Sequence, residues 1–168
     1  VAFGAAGTDN DLYEEEDPEC YKNIAVERPV CPTDIEGIRG ILNMQSGGQR
    51  GDIMDAVIVA TDLVFKATNV GPKTKAGKKK VIVITNGKVP CDMSDETVQM
   101  VQRGLEQGGI QLEVVGVGWQ ADEADEYIDP MQRQLDDMCA LSGGGCQAVH
   151  QVSEARSVAT KITNGHSK

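Results

Sequence analysis

The segment Lys80-Val-Ile-Val-Ile-Thr-Asn-Gly87 decides the fold of this chain. Its four consecutive β-branched residues are typical of a strand that is buried on both faces, and the Thr-Asn-Gly turn ends that strand. A helical pattern of apolar residues follows from about Met93. A buried strand that leads into a helix is the unit of a parallel sheet, and such sheets place their functional residues at the carboxyl ends of the strands. In this segment the residue at that position is Asn86.

The rest of the chain continues the alternation. From residue 51 onward the pattern is helix, strand, helix, strand, helix, strand and helix, which indicates a layered α/β fold. Thr33 and Glu36 match a capping box at the start of an earlier helix. The expected segments are short strands at 1–3 and 21–26, helices at 33–44 and 51–68, a strand at 81–85, a helix from Ser94, a strand at 110–118, a helix from Pro130, a strand at 146–152 and a helix from Ser153.

The helix expected at 51–68 has an unusually wide apolar arc. Four of its apolar residues define one face at helical spacing: Ile53, Val57, Ala60 and Val64. Met54, Ile58 and Phe65 extend that face towards a narrow polar stripe. The arc is wider than a helix that rests on one sheet needs. We therefore expect a second surface to cover part of it, either within the domain or from a partner.

Composition and charge exclude several classes of protein. A chain of 168 residues suffices for one domain with a sizeable core, and its net charge of −10 disfavours a surface that grips DNA phosphates. No apolar run approaches the roughly 20 residues of a membrane span. Five cysteines without a Cys-x-x-Cys pair favour a reducing compartment.

Few side chains suggest chemistry. Cys139, Cys146 and His150 form the one candidate zinc set, but a fourth ligand and the paired short spacing of zinc sites are missing, so ordinary buried thiols are the favoured interpretation. No nucleophile-elbow, zinc-protease or phosphate-binding motif occurs. The sequence therefore predicts a protein that is not an enzyme.

Several segments carry a family resemblance. They are Phe3-Gly-Ala-Ala-Gly-Thr-Asp-Asn10, Tyr21-Lys-Asn-Ile-Ala-Val26, Gly51-Asp-Ile-Met-Asp-Ala-Val-Ile-Val59, residues 79–87 and residues 135–144. Residues 79–87 and 135–144 resemble motifs of von Willebrand factor A domains in general. In order and spacing, the three N-terminal segments resemble the A-type domain of the large, roughly eighty-kilodalton Ku subunit. The resemblance implies a Rossmann-like fold over residues 1–168, with a mostly parallel central sheet flanked by helices.

The resemblance also predicts that the family's metal site is lost. Metal-binding A domains hold a divalent ion with an Asp-x-Ser-x-Ser turn, a threonine and the aspartate of a Thr-Asp-Gly turn. This chain lacks the first element, Gly51 falls near the threonine position, and Asn86 replaces the aspartate. An amide brings no charge to offset the dehydration of a divalent ion, so we expect neither a metal nor a cofactor.

A further departure concerns the start of the domain. The family's first strand and first helix have no counterpart here, because Val1 already matches the second strand. That first strand lies centrally in the family's sheet. We therefore expect an N-terminally incomplete domain whose gap is filled by another chain, by rearrangement or by further residues.

The function that the resemblance implies is protein interaction in a nuclear repair complex. Expected partners are the smaller Ku subunit and repair-factor peptides with Ku-binding motifs, in nonhomologous end joining and telomere maintenance. DNA would be contacted mainly through domains outside this chain, and no membrane is involved. The family's peptide pocket maps onto Leu12, Tyr21 and Ile58, with Thr61 where the family has a larger apolar residue.

Three other interpretations stay open on the sequence. A different metal-free A-type scaffold, from a proteasome or a transcription-repair complex, would fail to pair with a Ku partner. A flavodoxin-like or receiver-like enzyme would bind flavin or accept a phosphoryl group. A metal-dependent adhesion domain would bind its ligand only with magnesium.

Overall fold

A computed structural model of the chain contains two compact units, Val1–Ala76 and Gly77–Lys168, called here the N-terminal and C-terminal units. The structure describes residues 1–3, 21–44, 48–69, 77–88, 91, 94–119 and 128–149. Within these ranges no helix is long and apolar enough to cross a membrane.

The C-terminal unit is a three-stranded parallel sheet with helical crossovers. Its elements are β3 (Lys79–Thr85), α3 (Asp95–Gly108), β4 (Ile110–Val117), α4 (Ile128–Leu141) and β5 (Gly145–Val149), and the strand order is β3-β4-β5. The predicted α/β architecture with a parallel sheet is confirmed. The helix expected from Ser153 lies outside the described residues.

The strand β3 differs from the sequence expectation. It pairs in register with β4, so that Val83 lies opposite Val114. Val81 and Val83 are buried, but Ile82 and Ile84 are 49% and 64% exposed. The prediction of a strand buried on both faces was therefore wrong. Among the described strands β3 lies at the sheet edge, with β4 as its one partner.

Local signals set the ends of α3. The Ser94 side chain accepts a hydrogen bond from the Thr97 backbone N–H and caps the first turn. Gly109 adopts the left-handed conformation with φ of 60° at the carboxyl end, where glycine carries no Cβ penalty. Between the caps, Val101 and Leu105 are buried at one turn's spacing. These two residues pack the helix into the core of its unit.

The helix α4 buries one face and exposes its last residue. Four of its side chains are buried, namely Met131, Leu135, Met138 and Cys139. Leu141, the last residue of α4, is 59% exposed. The helix ends where the Gly144 N–H donates to the Cys139 carbonyl at 2.8 Å. Close approach to Leu112 leaves no space for a Cβ at Gly144.

The N-terminal unit combines a short hairpin with two helices. Its elements are β1 (Ala2–Phe3), β2 (Ile24–Ala25), α1 (Ile35–Asn43) and α2 (Ile53–Asn69), and β1 pairs antiparallel with β2. The strand predicted at 21–26 is confirmed only at its centre. Tyr21 and Asn23 have φ of 61° and 57°, which lie in the left-handed region and turn the chain before the strand.

The start of α1 was also predicted wrongly. Asp34, rather than Thr33, caps the helix and accepts a hydrogen bond from the Gly37 N–H at 2.7 Å. Glu36 pairs with Arg39 instead of completing a capping box. Asp34 also forms a two-pronged ion pair with Arg28, and this hydrogen bonding holds the pKa of the Asp34 carboxyl well below its usual range.

No residue of α1 is buried. The side chains at its helical apolar positions stay exposed, namely Ile35, Ile38, Ile41 and Leu42. α1 therefore forms where a helix was predicted, but its apolar side chains stay exposed.

Candidate functional site

The Thr85-Asn86-Gly87 turn at the end of β3 is closed by its own side chains. The Thr85 hydroxyl accepts a hydrogen bond from the Gly87 N–H at 3.1 Å. The Asn86 side-chain oxygen accepts one from the Lys88 N–H at 3.2 Å. These are local side chain–backbone bonds of the kind that stabilise turns. The oxygen that would replace a carboxylate ligand is thus engaged in shaping the turn.

A tryptophan packs against this turn. Trp119 follows β4 and is 1% exposed. A Cβ added at Gly87 would lie 2.7 Å from the Trp119 Nε1 and 2.8 Å from the Met131 Cε, and one added at Gly116 would overlap the indole ring. The carboxyl ends of β3 and β4 are therefore filled by an aromatic side chain that fits because both neighbouring positions are glycine.

Neither of the two positions where metal ligands were expected, Asn86 and Gly51, fits a divalent metal site. Asn86 offers a neutral amide oxygen that already accepts a hydrogen bond. In the N-terminal unit, Gly51 has no side-chain oxygen, and the adjacent Asp52 accepts a hydrogen bond from the Met54 N–H at 2.7 Å at the start of α2. Within the described ranges, no group of three His, Cys, Asp or Glu side chains could hold a metal ion.

The two cysteines of the candidate zinc set behave as buried thiols. Burial raises the pKa of Cys139 to about 12 and that of Cys146 to about 11. Zinc binds the thiolate, so both groups are poor ligands at neutral pH. His150, the third member of the set, lies outside the described residues.

One side of α2 packs against the hairpin of its own unit. Ile24, Ala56 and Val59 form a buried cluster there, and Tyr21 and Leu63 are partly buried against it. Asn23 supports this arrangement, because its Nδ2 donates a hydrogen bond to the Arg50 carbonyl at 2.8 Å. The left-handed turn thus places Tyr21 against this buried cluster.

Another side of α2 forms a ridge, called here the α2 ridge, of Ile58, Thr61 and Phe65. These residues have the i, i+3, i+7 spacing that places side chains on one helix face. Ile58 is half-buried, Thr61 is 8% exposed and Phe65 is 45% exposed. Asp62 and Lys66 border the ridge as an ion pair of 2.6 Å. Ile58 and Phe65 leave apolar surface accessible at the two ends of the ridge, whereas the Thr61 side chain between them is buried.

The structure brings together some of the site residues that the sequence suggested. At about 100° per residue, Ile58 and Thr61 lie about 60° apart on α2. Both lie roughly 100° or more from Ala56, Val59 and Leu63, the α2 residues beside the Tyr21 cluster. Tyr21 and the α2 ridge therefore belong to different sides of one helix. Leu12 lies outside the described residues.

Sequence reasoning did not identify two further features. The Thr61 hydroxyl and the Trp119 indole N–H are buried and have no hydrogen-bond partner among the residues that the structure describes. The glycines at 87 and 116 hint at a bulky neighbour, but the identity of that neighbour depends on the sheet register. The isolation of the Thr61 hydroxyl depends on its rotamer, which no sequence pattern encodes.

Comparisons with known proteins identify relatives. A Dictyostelium discoideum protein named X-ray repair cross-complementing protein 5 is 25% identical over 129 residues, 77% of this chain and 15% of that protein. An Arabidopsis thaliana protein named ATP-dependent DNA helicase 2 subunit KU80 is 28% identical over 120 residues, 68% of the chain and 17% of that protein. A Neurospora crassa protein named ATP-dependent DNA helicase II subunit 2 is 30% identical over 163 residues, 88% of the chain and 21% of that protein.

The chain thus spans between 15% and 21% of the length of these relatives. Among solved structures, the conserved hypothetical protein BatB from Bacteroides thetaiotaomicron superposes with a TM-score of 0.52 at 17% identity. That alignment covers 77% of this chain and 67% of BatB, and it supports the fold alone. No protein-family model matches the chain.

Proposed function

Because the chain carries a von Willebrand factor A-like domain of the large Ku subunit type, we propose that it is the protein-interaction domain of a DNA-repair Ku subunit. In this proposal the domain supports double-strand break repair by nonhomologous end joining, and telomere maintenance. It does so by contributing to a heterodimer with the smaller Ku subunit and by recruiting repair factors through short peptides.

The observation that carries the recruitment proposal is the α2 ridge. Ile58 and Phe65 leave apolar surface accessible on a helix whose opposite faces are largely buried. Covering one such side chain stabilises a complex by up to about 1.5–3 kcal/mol. A peptide that lays two apolar residues on Ile58 and Phe65 would gain free energy by covering this surface, which supports a role of the ridge in recruitment.

The proposed role is binding rather than catalysis. Two of the relatives carry the words ATP-dependent DNA helicase in their names, which describe those proteins. For this chain we infer a noncatalytic scaffold in the nucleus that contacts DNA mainly through other parts of the protein. Its net charge of −10 supports this assignment, because DNA affinity depends on basic contacts to phosphates.

The test is a titration of a fluorescent Ku-binding-motif peptide into the full-length protein in complex with the smaller Ku subunit. We expect Ile58→Glu to weaken binding at least tenfold, because the variant removes an apolar contact and places a charge under the peptide. Met100→Glu is the matched control, since Met100 is 56% exposed on α3 in the other unit. Equal binding by wild type and Ile58→Glu would contradict the assignment of the site.

A further inference from the structure

The Asn86-Gly87 pair at the end of β3 places two groups that can react with each other in adjacent residues. An asparagine that precedes glycine readily loses its side-chain ammonia, because glycine has no Cβ to hinder attack by its backbone nitrogen on the asparagine amide. The chain contains this pair twice, at Asn86-Gly87 and at Asn164-Gly165, and threonine precedes both. The first pair lies in the part of the chain that the structure describes.

Packing requires glycine at position 87. Gly87 has φ of 65°, and a Cβ there would lie 2.7 Å from the Trp119 Nε1 and 2.8 Å from the Met131 Cε. The left-handed conformation and the neighbouring side chains both disfavour any larger residue. The fold therefore keeps, directly after Asn86, the residue that hinders this reaction least.

The two reacting groups are held differently. Asn86 supplies the electrophilic side-chain carbon and is exposed, and its side-chain oxygen accepts a hydrogen bond from the Lys88 N–H at 3.2 Å. Gly87 supplies the nucleophilic nitrogen and is buried, and its N–H donates to the Thr85 hydroxyl at 3.1 Å. A buried, hydrogen-bonded N–H releases its proton only when the structure opens locally. The folded turn thus withholds the nucleophile while the electrophile stays accessible.

We propose that Asn86 is a self-modification site that the hydrogen bond from Gly87 to Thr85 protects, and that it reacts when this turn opens. In the open turn the Gly87 nitrogen bonds to the Asn86 side-chain carbon, its proton passes to water, and the side-chain amide leaves as ammonia. Water then opens the five-membered imide at either carbonyl and gives aspartate or isoaspartate. Water is the one other reactant.

The modification is an irreversible record of opening. Ammonia is lost to solvent, so closing the turn again does not restore asparagine. Isoaspartate adds a methylene group to the backbone before Gly87, which displaces Gly87 from its packing against Trp119. Aspartate instead places a negative charge on the turn. This inference goes beyond the proposed function and does not depend on whether the domain recruits peptides.

The experiment measures conversion at Asn86 in the full-length protein at mildly alkaline pH. Peptide mapping by mass spectrometry, with synthetic isoaspartate peptides as standards, gives the rate in native protein and in protein denatured with urea. For wild type we expect conversion at least about tenfold slower in the native protein, because the open turn is a minor state. Conversion at Asn164 in urea, within the same Thr-Asn-Gly triplet, is the positive control for the chemistry.

Two variants at position 85 test the protecting hydrogen bond. Thr85→Val removes the acceptor, so native conversion at Asn86 should be about three- to tenfold faster than in wild type, as the loss of one net hydrogen bond predicts. Thr85→Ser keeps the hydroxyl and should convert at nearly the wild-type rate. In urea all three proteins should convert equally, because the hydrogen bond exists only in the folded turn. Melting temperatures show whether each variant is folded.

The wild-type protein alone also tests the proposal. Its rate of conversion at Asn86 should rise with urea below the unfolding midpoint, since urea favours open states. A rate that does not depend on urea would overturn the proposal, as would equal rates in native and denatured wild type. Equal native rates in wild type and a folded Thr85→Val would overturn the role of the Thr85 hydroxyl and with it the proposal.

Discussion

At the scale of single residues, the Trp119 side chain occupies the carboxyl end of the parallel sheet. The sequence predicted that Asn86 removes a charged metal ligand. The structure adds that the Asn86 amide closes its own turn and that Trp119 packs over Gly87 and Gly116. A Cβ at position 87 or 116 would clash with this indole ring, so the packing requires glycine at both positions. This packing supports our proposal that partners bind away from the carboxyl edge of the sheet.

Gly116 provides the first residue-scale prediction. Gly116→Ala should lower the free energy of unfolding by about 1–3 kcal/mol, because the new Cβ overlaps the Trp119 ring and forces the packing apart. Chemical denaturation measures the change. Gly40→Ala is the control, since a Cβ there meets nothing within 4 Å and should stabilise α1 by up to about 1 kcal/mol. Equal effects of the two substitutions would contradict the packing described.

The buried thiols predict a loss of stability in alkali. Burial raises the pKa of Cys139 from 9.0 to about 12, so the folded state retains a proton that the unfolded chain releases. The stabilisation is therefore complete below about pH 9 and is lost as the pH rises towards 12.

The measurement compares the free energy of unfolding near pH 7.5 and near pH 10.5. Wild type should lose more stability between these values than Cys139→Ala, which has no thiol to titrate at this position. Cys31→Ala serves as the control, because Cys31 is exposed, and it should follow wild type. Identical pH dependence in wild type and Cys139→Ala would refute the assignment.

At the scale of elements, the spacing of apolar residues along the sequence predicted most of the helices and strands. The strands β3 and β4 and the helices α2, α3 and α4 follow from runs or periods of apolar residues, because burial dominates their stability. The period of α1 predicted a helix but not its exposure, since a pattern does not say whether a partner surface is present. The Tyr21–Asn23 turn was missed because left-handed non-glycine residues carry weak sequence signals.

The candidate site was predictable to a similar degree. Ile58 was identified from the sequence because it extends an apolar arc beyond what one sheet can cover. The grouping of Ile58 with Thr61 follows from helix geometry alone. The position of Tyr21 on a different side of α2 depends on tertiary packing, which a single sequence does not encode.

The cap of α3 offers a prediction for one element. Ser94→Ala should lower the free energy of unfolding by about 1 kcal/mol, because it removes the acceptor for the Thr97 N–H. Thermal denaturation gives the change. Ser94→Asp retains a good cap and adds a charge that favours a helix amino terminus, so it should match or exceed wild type. An unchanged free energy of unfolding in Ser94→Ala would mean that the cap does not stabilise the protein.

At the scale of the whole molecule, the chain represents a small part of the proteins that it resembles. The aligned part of the chain spans only 15% to 21% of the length of its relatives. Its net charge of −10 suits a protein-binding role better than contact with DNA phosphates. These features support the proposal that this domain recruits and pairs with other proteins, while DNA is contacted mainly by other parts of the protein.

The most direct test of this account is co-purification of the full-length protein with the smaller Ku subunit of the same organism. Coexpressed and passed over a size-exclusion column at physiological salt, the two proteins should elute together as a one-to-one complex. A different metal-free A-type scaffold would not form this complex. Elution of the two proteins as separate species, with both of them folded, would contradict the central claim.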